Sequence, residues 1–171
     1  VLRKEIPLHI HAHRSDDICT AIRIAKEYDI RIVIVHCTDG IDIAEHIAAS
    51  GFPAIVGPSM NPCSKQEVWN KSFETAGILN RAGVKVCITA DHDVTPLYYL
   101  PIYAAMAVRF GMDDAEALRA VTSYPAEILG IDDRKGALVS GKDADLVIWS
   151  HHPFDIHAKA EHVFIDGKQE C

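Results

Sequence analysis

Residues 31–40 read RIVIVHCTDG. Ile32, Val33, Ile34 and Val35 form an unbroken β-branched run, the composition of a strand covered on both faces. Such strands belong to parallel sheets, and the flanking sequence agrees. PLHIH (7–11) upstream, and PAIV (53–56) and VKVCITA (84–90) downstream, are three more short apolar runs. Segments of helical period separate them. Ser15 offers an N-cap with Asp16 and Asp17 in the first turn, and Ile18, Ala21, Ile22, Ala25 and Tyr28 follow at helical spacing. DIAEHIAAS (42–50) predicts a second helix, with Gly51 suited to its C-terminal end. Ser64 and Glu67 make a capping-box pattern for a third, which Gly77 weakens or breaks and RAG (81–83) closes. Alternating strand and helix predicts parallel strands joined by right-handed crossovers.

Beyond residue 95 the pattern changes. Helices are expected at 98–110, 114–122 and 125–129, the second capped by Asp113 with Glu116. From Gly136 onward the signals are β: GALVSG, ADLVIW and EHVFIDGK, with Asp166-Gly167 as a hairpin turn. The chain is therefore expected to be α/β over residues 1–133, with a small β unit over 134–171.

The ends of the predicted strands carry the chemistry. HIHAHR (9–14) places His9, His11 and His13 at every second position of an extended segment, on one face. A polar face on an exposed strand would read the same way. VIVHCTDG puts His36 at the end of the second strand, and CITADHD puts Asp91, His92 and Asp93 at the end of the fourth. In parallel α/β folds these ends share one rim, where ligands bind. Imidazole nitrogen and carboxylate oxygen together suit zinc, and also iron, manganese or nickel. Asp93 reads as a turn residue. His46, His151, His152, His157 and His162 lie on helix or tail positions and read as surface or packing residues.

Bulk properties exclude other classes. The 171 residues are 49% hydrophobic and 24% charged, as a globular chain requires. A net charge of −7 leaves no basic footprint for nucleic acid or an anionic membrane. No apolar run is long enough to span a bilayer. The five cysteines form no CxxC pair, so a reduced, cytoplasmic setting is expected, with Cys37 a buried inert thiol. No glycine-rich phosphate loop supports a flavodoxin-like binding module: CTDG and GPSMNP are not of that kind.

HIHAHR, VIVHCTDG, CITADHD and the tail KGALVSGKDADLVIWSHHPFD (135–155) together resemble the C-terminal half of a metal-dependent amidohydrolase, nearest the imidazolonepropionase- and prolidase-like branch. The resemblance covers nearly the whole chain. It implies strands five to eight of a TIM-like metallohydrolase barrel, plus the returning strands of a small β-sandwich. It also implies a divalent metal, zinc first, with one or two ions in the complete protein. His11, His36 and Asp91 would then be metal ligands. His36 would also polarise the substrate, and Asp91 would shuttle the proton of the attacking water. His13 and His92 would be substrate-side residues, and His9 would lie too deep in its strand to bind metal. The implied reaction is hydrolysis of carbon–nitrogen bonds in amides, cyclic amides or dipeptide-like small molecules. Deamination on the same scaffold and an inactive half-barrel are the alternatives. The family also requires an HxH pair from barrel strand one, whereas the context of HIHAHR matches strand five. A barrel takes about 250 residues. The chain, which starts at Val1, is therefore expected to be part of a longer protein and to self-associate through its open side. The segment GPSMNPCSK (57–65) is expected to line the substrate pocket.

Overall fold

A computed structural model describes residues 1–170. Four strands, β1 (Leu8–Ala12), β2 (Ile32–His36), β3 (Ala54–Val56) and β4 (Val86–Ile88), form one parallel sheet in the order β1-β2-β3-β4. Each chain-consecutive strand lies beside the last, so the winding never reverses as it does in a doubly wound sheet. The register sets Ala12 beside His36, His36 beside Val56, and Val56 beside Ile88, which aligns the four C-terminal ends.

The helices are α1 (Ser15–Glu27), α2 (Ala44–Ser50), α3 (Glu74–Arg81), α4 (Leu100–Arg109), α5 (Asp114–Ala120) and α6 (Ser123–Leu129). The core lies where they meet the sheet. Ile32, Ile34, Ala54, Val86 and Ile88 join Ile18 and Ile22 of α1, Ile47 of α2, Leu79 of α3 and Ala104 of α4 in one buried cluster. Val33 and Cys87 are buried outside that cluster, as strand alternation requires for the opposite face. On that face His9 and His11 are exposed and Val35 and Ile55 half-buried.

Several local expectations change. Ser15 is the first residue of α1 and Arg14, in extended backbone, occupies the cap position; the Ser15 N–H donates to the Asp39 carboxylate. The first part of the predicted second helix winds as a 3-10 helix, Thr38–Ile43, before α2 begins; Gly51 ends α2 at a φ of 75°. Ser64 and Glu67 form no capping box. Only a 3-10 turn, Gln66–Val68, forms there, and Glu67 pairs with Lys65 instead. The helix starts at Glu74, whose N–H is met by Ser72 Oγ. Gly77 does not interrupt α3: a Cβ there would lie 3.0 Å from Met112 N, so its bareness lets the helix pack against the loop after α4. Asp113 caps α5 by accepting from Glu116 N, as its sequence pattern indicates.

The tail forms a separate antiparallel sheet, β5 (Leu146–Trp149), β6 (Ala160–Ile165) and β7 (Lys168–Gln169), ordered β5-β6-β7. Asp166 and Gly167 turn the last hairpin with φ of 50° and 74°. GALVSG is not a strand. Its neighbours are held by ion pairs, Arg134 and Lys135 with Asp143, and Lys135 with Asp145, rather than by a ladder. Among the described residues no helix is long and apolar enough to cross a membrane.

Candidate metal centre

Three imidazoles meet at the C-terminal rim of the parallel sheet. His11 reaches it from within β1, and His13 from the residue after Ala12 that ends that strand. His36 is the last residue of β2 and adopts a φ of 74°, followed by Cys37 at 51°. Left-handed backbone at a non-glycine residue costs of order 1–2 kcal/mol. It also ends the strand and redirects the His36 side chain. The ring centroids of His11 and His36 lie 4.3 Å apart, those of His13 and His36 4.7 Å and stacked, and those of His11 and His13 4.7 Å.

Hydrogen bonds orient two of the rings from behind. His36 Nδ1 lies 2.7 Å from the Gly57 carbonyl oxygen, which can only accept, so Nδ1 carries the hydrogen. In the neutral ring Nε2 then offers its lone pair, and it faces His11 Nδ1 at 3.1 Å. His13 Nδ1 pairs with Thr38 Oγ1 at 2.8 Å. Gly57 reaches His36 because it has no side chain. Its φ is +122°, and a Cβ would stand 2.4 Å from the Thr89 carbonyl oxygen.

Burial is the first cause that lowers the pKa of His13, to about 4, with the charges of His36 and His11 adding to it. His11 is lowered for the same leading reason, burial, with the charge of His36 next, and Asp91 partly opposes the effect. Neutral imidazoles are the protonation state that ligates metal. One nitrogen from each of His11, His13 and His36 lies within 4.8 Å of the others. Ligand atoms around a tetrahedral zinc stand about 3.3 Å apart. The donor set and the 3.1 Å His11–His36 separation therefore fit a cation of that kind.

The three histidines line a cleft of about 210 Å³ together with Asp91. Asp91 is half-buried in the turn after β4, where its N–H donates to Thr89 Oγ1. His92 is exposed and outside the cleft lining, and Asp93 is exposed beside it. His9, His46, His151, His152, His157 and His162 are all exposed. Cys37 and Cys87 are buried thiols pushed up to about 12 by burial, as an inert role requires.

The segment after β3 forms the far wall through Gly57, Pro58, Ser59, Asn61, Ser64 and Lys65. Lys71 holds it in place, donating to Asn61 O at 3.2 Å, Asn61 Oδ1 at 2.8 Å and Pro62 O at 3.2 Å. Three acceptors use all three ammonium protons. Burial lowers the Lys71 pKa. Sequence reasoning passes over Thr38 and Lys71. Thr38 stands in CTDG and is readable as a strand-end cap. Lys71 carries no local signal, since its partners are nine or ten residues away.

The sequence profile of the amidohydrolase family matches residues 3–169, and the chain belongs to that family. The solved amidohydrolase from Thermotoga maritima MSB8 is 44% identical. It superposes with a TM-score of 0.95 over 100% of this chain and 45% of that one. An imidazolonepropionase of Brucella suis biovar 1 (strain 1330) is 31% identical over 166 residues, 95% of this chain and 38% of the relative. A zinc-bound adenosine deaminase from Xanthomonas campestris is 25% identical with a TM-score of 0.68, over 95% of this chain and 45% of that one. In all three the chain spans less than half of the other protein.

Proposed function

We propose that the chain is the C-terminal half-barrel of a metal-dependent hydrolase that cleaves carbon–nitrogen bonds in small amides, cyclic amides or dipeptide-like molecules. The observation that carries this is the convergence of His11, His13 and His36 nitrogens within 4.8 Å, on a cleft that Asp91 also lines. Strand order and length support the half-barrel: four consecutive parallel strands are half of the eight that close such a barrel.

His11 and His36, with Asp91 across the cleft, are the residues that would hold the cation, and His13, whose nitrogen lies in the same cluster, offers a further donor. A divalent metal, zinc first, would acidify a water and polarise a carbonyl at this place. The remaining work falls to the chain. The Gly57 carbonyl fixes the tautomer of His36. Burial, the first cause in both, lowers the pKa of His13 and of His11 and so favours the uncharged rings. The Asp91 carboxylate takes the proton of the attacking water and returns it to the leaving nitrogen, the usual task of a general base turned acid. The wall 57–65, pinned by Lys71, sets the shape of the substrate side. Deamination is the second reading, favoured by the likeness to the zinc-bound deaminase. It uses the same groups on an amidine carbon.

The test is metal analysis with one activity screen on the complete protein and its Asp91→Asn variant. The expected result is bound zinc in both, with amide or cyclic-amide hydrolysis slowed about 10²- to 10⁴-fold by the substitution, the usual size of a general acid–base contribution. Amidine turnover alone would establish the deaminase reading. A metal-free, inert protein would overturn the hydrolase reading.

A further inference from the structure

The hydrogen bonds around Asp39 have a pattern that the reaction outlined above does not use. We propose that Asp39 is a positioning residue that braces His13 and couples it to the wall of the cleft through Asn70. The Asp39 N–H donates to the His13 carbonyl at 2.8 Å. Asp39 Oδ2 accepts the N–H of Ser15, two residues past His13, at 3.3 Å. Asp39 Oδ1 accepts from Asn70 Nδ2 at 3.0 Å. Thr38, the neighbour of Asp39, holds the His13 ring at Nδ1. The backbone of His13 is thus held at its own carbonyl and just beyond it, and the ring from behind, all by residues 38 and 39.

The residue type follows from the geometry. Ser15 opens α1, so its N–H has no partner inside the helix. Asn70 brings a second donor from another direction. Only a carboxylate offers two acceptor oxygens to both at once, and its charge suits a helix N-terminus. Asn70 is followed by Lys71 and Ser72, and Lys71 ties down Asn61 and Pro62. One carboxylate therefore links the histidine cluster to the segment that shapes the substrate side. Groups that orient metal-binding histidines in this way typically change metal affinity about 10- to 100-fold.

The test exchanges the two partners. Asp39→Asn leaves one acceptor oxygen and sets two amide groups against each other. Asn70→Asp sets two carboxylates against each other. In the double variant Asp39→Asn/Asn70→Asp, the amide oxygen introduced at position 39 accepts from Ser15, while the amide nitrogen beside it donates to the carboxylate introduced at position 70. Zinc affinity is one readout, and it alone rests on the hydrolase reading. The His13 ring resonance in the zinc-free chain is the other, with exposed His46 as internal control. Each single variant should weaken zinc binding about tenfold and shift or broaden the His13 signal but not the His46 signal. The exchange should restore both. Folded single variants with unchanged His13 signals, or a double variant no better than Asp39→Asn, would overturn the proposal. Absence of zinc uptake by the parent chain would count against the metal reading, while the His13 resonance still decides for or against Asp39.

Discussion

Replacing His13 by asparagine should flatten the acid side of the metal-free chain's stability profile. The His13 pKa is lowered from 6.5 to about 4, first by burial and then by the neighbouring imidazoles. Above 6.5 the ring is neutral in both folded and unfolded chains and costs nothing. As the pH falls through 6.5, the unfolded chain binds a proton that the folded one refuses, so stability drops. The loss continues to about pH 4, where the folded state also takes the proton. Across that window it amounts to about 3 kcal/mol, at up to about 1.4 kcal/mol per pH unit. Roughly 2 kcal/mol of it should appear between pH 7 and pH 5. The assay is urea unfolding at those two pH values. With a slope of about 2 kcal/mol/M for a chain of this size, the parent midpoint should fall by about 1 M more than the variant's. Any volume lost in His13→Asn lowers stability equally at both pH values and cancels. Equal pH dependence in parent and variant would show that His13 is not held neutral by its surroundings.

Gly57→Ala should cost about 2–5 kcal/mol, from positive-φ strain and overlap with the Thr89 carbonyl. A denaturation midpoint within about 0.5 kcal/mol of the parent, the range of neutral surface changes, would contradict the close approach. Asp113→Ala should lower stability by about 1 kcal/mol through loss of the α5 cap; thermal unfolding reads it, and an unchanged midpoint would show that the Glu116 N–H is met equally well by water. Iodoacetamide should label exposed Cys63 in the native chain well before buried Cys37 or Cys87, and mass spectrometry of the peptides shows the order. Early labelling of Cys37 would mean that the rim of the sheet opens in solution.

Features legible in the sequence are local or periodic. The run 32–35 can only be a covered strand, and it forms β2. Asp113 with Glu116, and Asp166 with Gly167, do their work within three residues, so a pattern suffices to locate a cap and a turn. His11, His36 and Asp91 end apolar runs, and parallel strands must bring such ends together. Two capping expectations fail because another group takes one of the partners. Ser64 and Glu67 look like a capping box, but Lys65 takes the carboxylate. Ser15 looks like a cap, but Asp39, 24 residues on, takes its N–H. His92 sits between two acids at a strand end and is exposed in the turn after β4. For His13 the family resemblance implies a substrate-side role. Strand period already sets it on the face of His11, and its closeness to His36 depends on the left-handed turn at His36 and Cys37. Sequence alone therefore determined that His11, His36 and Asp91 reach the rim, because strand period and strand end are properties of the chain. Tertiary structure decided which ring nitrogens face one another and which stay neutral, because burial and hydrogen-bond partners come from segments far apart in sequence.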